Sequence, residues 1–245
     1  MNPIERVRHA LRPEPLMTFA SHESMTGSFP EPLPAFRAAP AWWRSMPRNV
    51  VVPNHASRLK TGTARECAPF GDAIGAGYVL RLPVALEATT REDGYVQFSW
   101  PDGAGFKPIG PAHNPQQLSD HSGHGGVYKM LNPWCITTPP GYSTLFMPLA
   151  NAPDNPFRPL SAVVETDAYT APVNFPFTWH ADPGYRVIDA GYPVVQVIPF
   201  RRERWTHEVQ WLDDSEMSRR AAPAKAAEHR IAGYRRLFHA PKVWK

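Results

Sequence analysis

Apolar and polar positions change rhythm along the chain. From residue 77 onward, short apolar or alternating runs recur at about ten-residue spacing, the signature of strands separated by turns. They cover 78–82, 95–100, 134–137, 143–147, 162–165, 173–177, 185–188 and 194–200. Asp93-Gly94, Pro140-Gly141, Pro183-Gly184 and Ala190-Gly191 supply the punctuation. Residues 101–126 break the pattern as a loop rich in Gly, Pro and His. Near the end, Ala227, Ile231, Tyr234 and Phe238 make one apolar stripe at helical spacing. They predict a helix over 223–237 with Pro223 in its first turn. Arg230, Arg235 and Arg236 lie off that stripe and are expected to face water.

The predicted architecture is mainly β: a single distorted barrel, β-clip or sandwich-like domain with an arm at each end. Residues 1–60 read as an extended arm, where Pro30, Pro32, Pro34 and Pro40 argue against helix and Trp42-Trp43 supply apolar anchors. Residues 61–212 form the β-rich body and 213–245 the helical tail. Composition agrees, because 29 prolines in 245 residues is about twice ordinary usage and disfavours long helices.

Charge is unevenly spread. Residues 201–245 hold eleven Lys/Arg against six Asp/Glu, within a chain of net charge +4. The tail's aromatics do not interleave with its bases as a nucleic-acid stacking platform would, which speaks against that partner. The two arms are the expected contacts of a homo-oligomer. No apolar run reaches the ~18 residues of a membrane span, and no charged-then-apolar leader opens the chain. Two cysteines, Cys67 and Cys135, make no disulfide framework. The expectation is a cytoplasmic protein without a membrane partner.

Several segments, taken in order, resemble the dUTPase and dCTP-deaminase group of β-clip proteins. They are Ala76-Gly77-Tyr78, Thr138-Pro139-Pro140-Gly141-Tyr142-Ser143, Ala162-Val163-Val164-Glu165-Thr166-Asp167, Ile188-Asp189-Ala190-Gly191 and Val195-Gln196-Val197-Ile198. The resemblance implies the fold and puts Glu165 where that group has a sugar-contacting aspartate. The group's Arg-Ser-Gly phosphate turn is replaced by Pro148-Leu149-Ala150-Asn151, its metal-linked aspartate by Val79, and its Gly-rich closing motif is absent. Nucleotide hydrolysis and a nucleotide cofactor are therefore not expected. A second, broader resemblance, over about 40–205, is to an uncharacterised family of bacterial and tailed-phage proteins. Cys67 through Ala73, Lys129 through Trp134, Pro139 through Phe146, Val173 through Phe177 and Gln196 through Phe200 carry it. It implies no named activity.

Candidate chemistry gathers around histidine. His113, His121 and His124 share one Gly-rich loop, and His180 with Asp182 forms a His-x-Asp pair. Imidazole plus carboxylate is the ligand chemistry of non-haem Fe(II) or another divalent transition metal. A metal-dependent oxidoreductase acting on a small molecule is thus one expectation, with Glu165, Asn174 and Trp179 as candidate substrate contacts. Loop histidines making ordinary hydrogen bonds, and an aromatic row Phe175, Phe177, Trp179 forming a core face, are the structural alternatives. Asp72 with Glu165 or Asp167 could form a carboxylate pair, and Cys67 or Cys135, with no histidine near it in sequence, could be a nucleophile or a buried structural thiol. The competing functional reading is a non-catalytic β-clip binding or assembly protein of bacterial or phage type.

Overall fold

The computed structural model describes residues 14–54, 57–111, 117, 126–228, 233–240 and 242–245. The chain begins with β1 (Thr18–Ala20), β2 (Leu33–Pro34), the short helix α1 (Ala41–Ser45), and a hairpin of β3 (Asn49–Asn54) and β4 (Ser57–Gly62). Helix α2 (Ala68–Gly75) leads into β5 (Tyr78–Arg81), β6 (Leu86–Thr90), β7 (Val96–Ser99) and β8 (Ile109–Gly110). Then come β9 (Tyr128–Met130), β10 (Cys135–Thr137), β11 (Tyr142–Met147), β12 (Phe157–Pro159) and β13 (Ala162–Val164). β14 (Phe175–Trp179), β15 (Gly184–Ile188) and β16 (Pro193–Arg201) complete the body, and α3 (Asp214–Glu228) and α4 (Gly233–Leu237) come after it.

The protein is mainly β, and its strands pair antiparallel in five small sheets. The largest has the order β13-β11-β16-β5-β2; the others are β12-β14-β9-β8, β15-β6-β7, β1-β10 and β3-β4. Alternation explains the half-buried members: in β6, Leu86, Ala88 and Thr90 point inward while Glu87 and Thr89 face out. β16 is flanked by β11 and β5, so Val194 through Val197 are all buried. One core draws on four of the five sheets, through residues such as Leu86, Ile136, Phe146, Phe177 and Val195. Its centre is aromatic. Trp179 meets Phe157 and Phe98 edge-on at centroid distances of 5.1 and 5.3 Å, the geometry the ring quadrupole favours.

Two features lock α2 to the large sheet. Gln196 is fully buried in β16; its Nε2 donates to the carbonyls of Ala73 (2.9 Å) and Ala76 (2.7 Å), and the Ala150 amide donates to its Oε1 (2.9 Å). These bonds satisfy helix-end carbonyls that have no intrahelical partner. Directly after the helix, Gly77 has φ of +69° and passes so close to β16 that a Cβ would sit 2.1 Å from the Val197 carbonyl oxygen.

The N-terminal arm does not stay free of the body. β1 pairs with β10 and β2 with β5, while Trp43, Ala39 and Ile74 form a second small core with Trp42 and Phe70 against it. The expectation of no helix here is corrected. A 3₁₀ turn covers Ala35–Ala38, and α1 starts directly after Pro40, which occupies its N-cap, a position where the missing N–H costs nothing. The tail helix is also corrected: α3 begins at Asp214, well before 223, and contains Pro223 in its interior; residues 229–232 lie outside the described residues, and α4 covers Gly233–Leu237. Asp213 accounts for the early start, since its Oδ1 accepts the Glu216 amide at 2.9 Å as an N-cap. Ile231 and Arg230 lie outside the described residues; Ala227 is buried, while Tyr234 and Phe238 are partly exposed and stack on each other.

Gly77→Ala is expected to cost at least about 2 kcal/mol in urea unfolding, from steric conflict plus backbone strain. Gly103→Ala, at φ of +82° with nothing within 4 Å, meets strain alone and is expected to lose about 1 kcal/mol. Equal losses would contradict the close approach at Val197.

Candidate functional site

Of the five candidate metal ligands, His113, His121 and His124 lie outside the described residues. His180 follows β14 directly at the surface, with its Nε2 2.8 Å from Thr178 Oγ1 and its amide donating to Pro156 O at 2.8 Å. Asp182 is 97% exposed, and its nearest cation is Arg186 at 3.8 Å. Among the described residues, no group of three or more His, Cys, Asp or Glu is arranged to hold a metal.

The three candidate substrate contacts occupy separate places. Trp179 is a core residue whose Nε1 donates to Thr90 Oγ1 at 2.9 Å. Asn174 is exposed and uses its Oδ1 to accept the Asn132 amide at 3.1 Å, tying the segment after β9 to the start of β14. Glu165 is exposed, and its backbone carbonyl receives the amides of Ala168 and Tyr169. Asp72 and Asp167 are each bound to a cation, and no contact among the described residues joins Asp72 to Glu165 or Asp167. Cys67 is exposed, not buried, and Cys135 is half-buried.

The chain's most unusual surface is one that carries no motif. β16 ends at Arg201, and residues 202–213 continue without regular structure. Trp205 is 84% exposed, Val209 70% and Trp211 93%. These residues and His207 fall on alternate positions, with Arg204, Thr206, Glu208 and Gln210 between them. That is the pattern of a strand with one apolar face, in a segment that pairs with no sheet among the described residues. Helix α3 continues the excursion with a mostly exposed surface and ion pairs from Glu216 to Arg219 and Arg220.

Both ends of this excursion are fixed to the body. At its root, the Arg202 guanidinium grips both carboxylate oxygens of Asp167 and donates to Tyr142 O at 2.8 Å and Ser143 Oγ at 3.1 Å. The Gly141 amide also donates to Asp167, at 2.8 Å. The Arg202 bonds, reinforced by that amide, hold the Asp167 carboxyl down to about 2. At the far end, Lys242 Nζ lies 2.6 Å from Asp72 Oδ2 and His239 Nε2 3.2 Å from Asp72 Oδ1. Burial alone would raise Asp72; its bonds to Lys242 and His239 outweigh that and leave it below the usual carboxylate range. Trp244 packs edge-on against Tyr78 at 5.9 Å, and Lys245 pairs with Glu14.

Alternation at 205–211 is a legible signal of the exposed strand-like segment. The pairing of Asp72 with His239 and Lys242 joins residues far apart in the chain, and no local spacing announces it.

No family model matches the chain, and no curated protein sequence does either. Among solved structures it is similar to one described as EIAV dUTPase, native. The TM-score is 0.33, with 11% identity, over 57% of this chain and 84% of that chain. No helix among the described residues is long and apolar enough to cross a membrane.

Asp167 has a folded pKa depressed from 3.8 to about 2. Its contribution to stability is therefore complete above the unfolded value and disappears as pH falls through about 2. Carboxyl NMR is expected to show Asp167 titrating near 2 in the native chain and clearly higher in Arg202→Met, short of the ordinary carboxylate value because the Gly141 amide still donates to it. An unchanged midpoint in the variant would remove Arg202 as the cause.

Proposed function

We propose that this is a non-catalytic binding or assembly protein on a β-clip-like body, and that it associates with copies of itself through residues 202–213. The observation that carries the reading is the strand-patterned segment with Trp205, Val209 and Trp211 on one face and no sheet to join. A second element of the same chain has the complementary deficiency. The β3-β4 hairpin is a sheet of its own, with Val50, Val51 and Val52 all exposed. Two-stranded ribbons are marginal alone and gain from an added strand, which main-chain bonds and alternate side-chain contacts would supply.

In the assembly, residues 202–213 of one copy lie along the hairpin edge of the second, and a twofold axis makes the exchange reciprocal. Twelve extended residues reach about 40 Å, enough to cross to a neighbouring body. Each tryptophan brings about 150–250 Å² of surface. Four of them in a reciprocal pair cover roughly half of the ~1,600 Å² typical of a stable interface. The clamp of Arg202 on Asp167 fixes the angle at which the segment leaves its own body.

Light scattering on the full chain at about 50 μM, above the Kd of a stable interface, is expected to give the mass of a dimer or higher oligomer. Trp205→Ser with Trp211→Ser is expected to return the monomer with little change in melting temperature, since neither ring packs on its own body. A monomeric native chain would overturn the reading. The metal-dependent alternative rests mainly on His113, His121 and His124; stoichiometric iron after anaerobic Fe(II) loading, lost in His180→Ala, would favour it instead.

A further inference from the structure

Where the tail returns to the body it closes a cleft of about 400 Å³ between α2, the segment before it and residues 235–244. That volume lies at the small end of ligand sites. Among the described residues its charged lining is Arg48, Arg65, Arg235 and Lys242, with His239, against the single carboxylate of Asp72. Two of the cations are already neutralised, Lys242 by Asp72 and Arg48 by Glu66 at 3.0 Å. The other two are not. Arg65 uses one guanidinium nitrogen to hold the carbonyls of Arg44 and Met46 and meets no carboxylate. Arg235 has no hydrogen-bond or ion-pair partner among the described residues.

The wall beneath them is aromatic and short of acceptors too. Trp43, only 6% exposed, lies under Arg65, whose guanidinium carbon sits 5.8 Å from the ring centroid. Its Nε1 is the one buried side-chain polar atom without a partner among the described residues. Indole N–H, guanidinium and ammonium groups can only donate. Side-chain donors thus outnumber side-chain acceptors in the described lining of the cleft, and a donor left unmet away from water is costly.

We propose that this cleft is a binding site for a small, multiply charged oxyanion, a phosphate monoester or a dicarboxylate, gripped by Arg65 and Arg235. Guanidinium forks match both groups in a bidentate way. Phe36, Trp43 and Trp244 in the lining give an apolar substituent on the anion somewhere to pack. The site involves neither residues 202–213 nor the β3-β4 hairpin edge, so it stands or falls separately from the self-association proposed above.

Cys67 lines the same cleft and is exposed, which makes its thiol a reporter. In the Cys135→Ser chain, inorganic phosphate at 10 mM is expected to slow modification of Cys67 by Ellman's reagent about tenfold, the ratio of a site about nine-tenths filled near a 1 mM Kd. Phenyl phosphate should act at a severalfold lower concentration, and succinate compared with phosphate tells the two anion classes apart. Sodium chloride at matched ionic strength should give no protection. Arg235→Gln, at an exposed helix position, is expected to fold normally and lose the protection, so it decides the matter even if Arg65→Gln proves unstable. Absence of protection by phosphate, phenyl phosphate and succinate alike would overturn the proposal. So would equal protection by chloride, or undiminished protection in Arg235→Gln.

Discussion

A glutamine side chain buried inside a strand needs partners for two N–H groups and a carbonyl, and at Gln196 all three are main-chain atoms of other segments. Ala73 and Ala76 end α2, and Ala150 belongs to the turn after β11. One amide therefore fixes a helix end and a loop to the central strand of the largest sheet. The close passage of Gly77 over Val197 works at the same place, because only a residue without Cβ lets the chain leave α2 and enter β5 at that distance. Helix α2 is thereby held at the rim of the body, not packed within it.

The placement of α2 determines the surface chemistry. Asp72 lies on α2 and is the anchor for His239 and Lys242. The return of the tail, the cationic cleft that it closes and the second core around Trp43 all presuppose a fixed helix. The excursion between Arg202 and the tail is the complement: a stretch pinned at both ends whose apolar side chains find nothing to cover them among the described residues. Fixed ends and an uncovered middle suit a contact with a second copy better than a free terminus would.

Much of the β body is readable in the sequence, and the reasons are local. Every strand expected from the ten-residue rhythm falls on an observed one within a few residues, because alternation and turn residues such as Pro140-Gly141 act over short range. The row Phe175, Phe177, Trp179 is a core face, as its period of two suggests. Helix α2 is not legible because eight residues give barely two turns of periodicity. The hairpin β3-β4 is not legible because a ribbon exposed on both faces shows no clean alternation. The early start of α3 depends on one capping residue, Asp213. Site residues are less legible. Glu165 comes from a resemblance and Asn174 and Trp179 are candidates beside it, and the fold sends the three to a turn, a loop and the core. Arg65, Arg235 and His239 come together only through the return of the tail, a contact that no sequence spacing encodes.

The dependence of α2 and the docked tail on one amide is tested most directly by urea unfolding of Gln196→Leu. The substitution keeps much of the volume and strands two carbonyls and one amide N–H in a buried setting. At about 1–3 kcal/mol for each stranded group, a loss of at least about 3 kcal/mol is expected, together with faster amide hydrogen exchange in α2 and at 239–245. A loss below about 1 kcal/mol, with exchange unchanged in both segments, would contradict the central place given to Gln196.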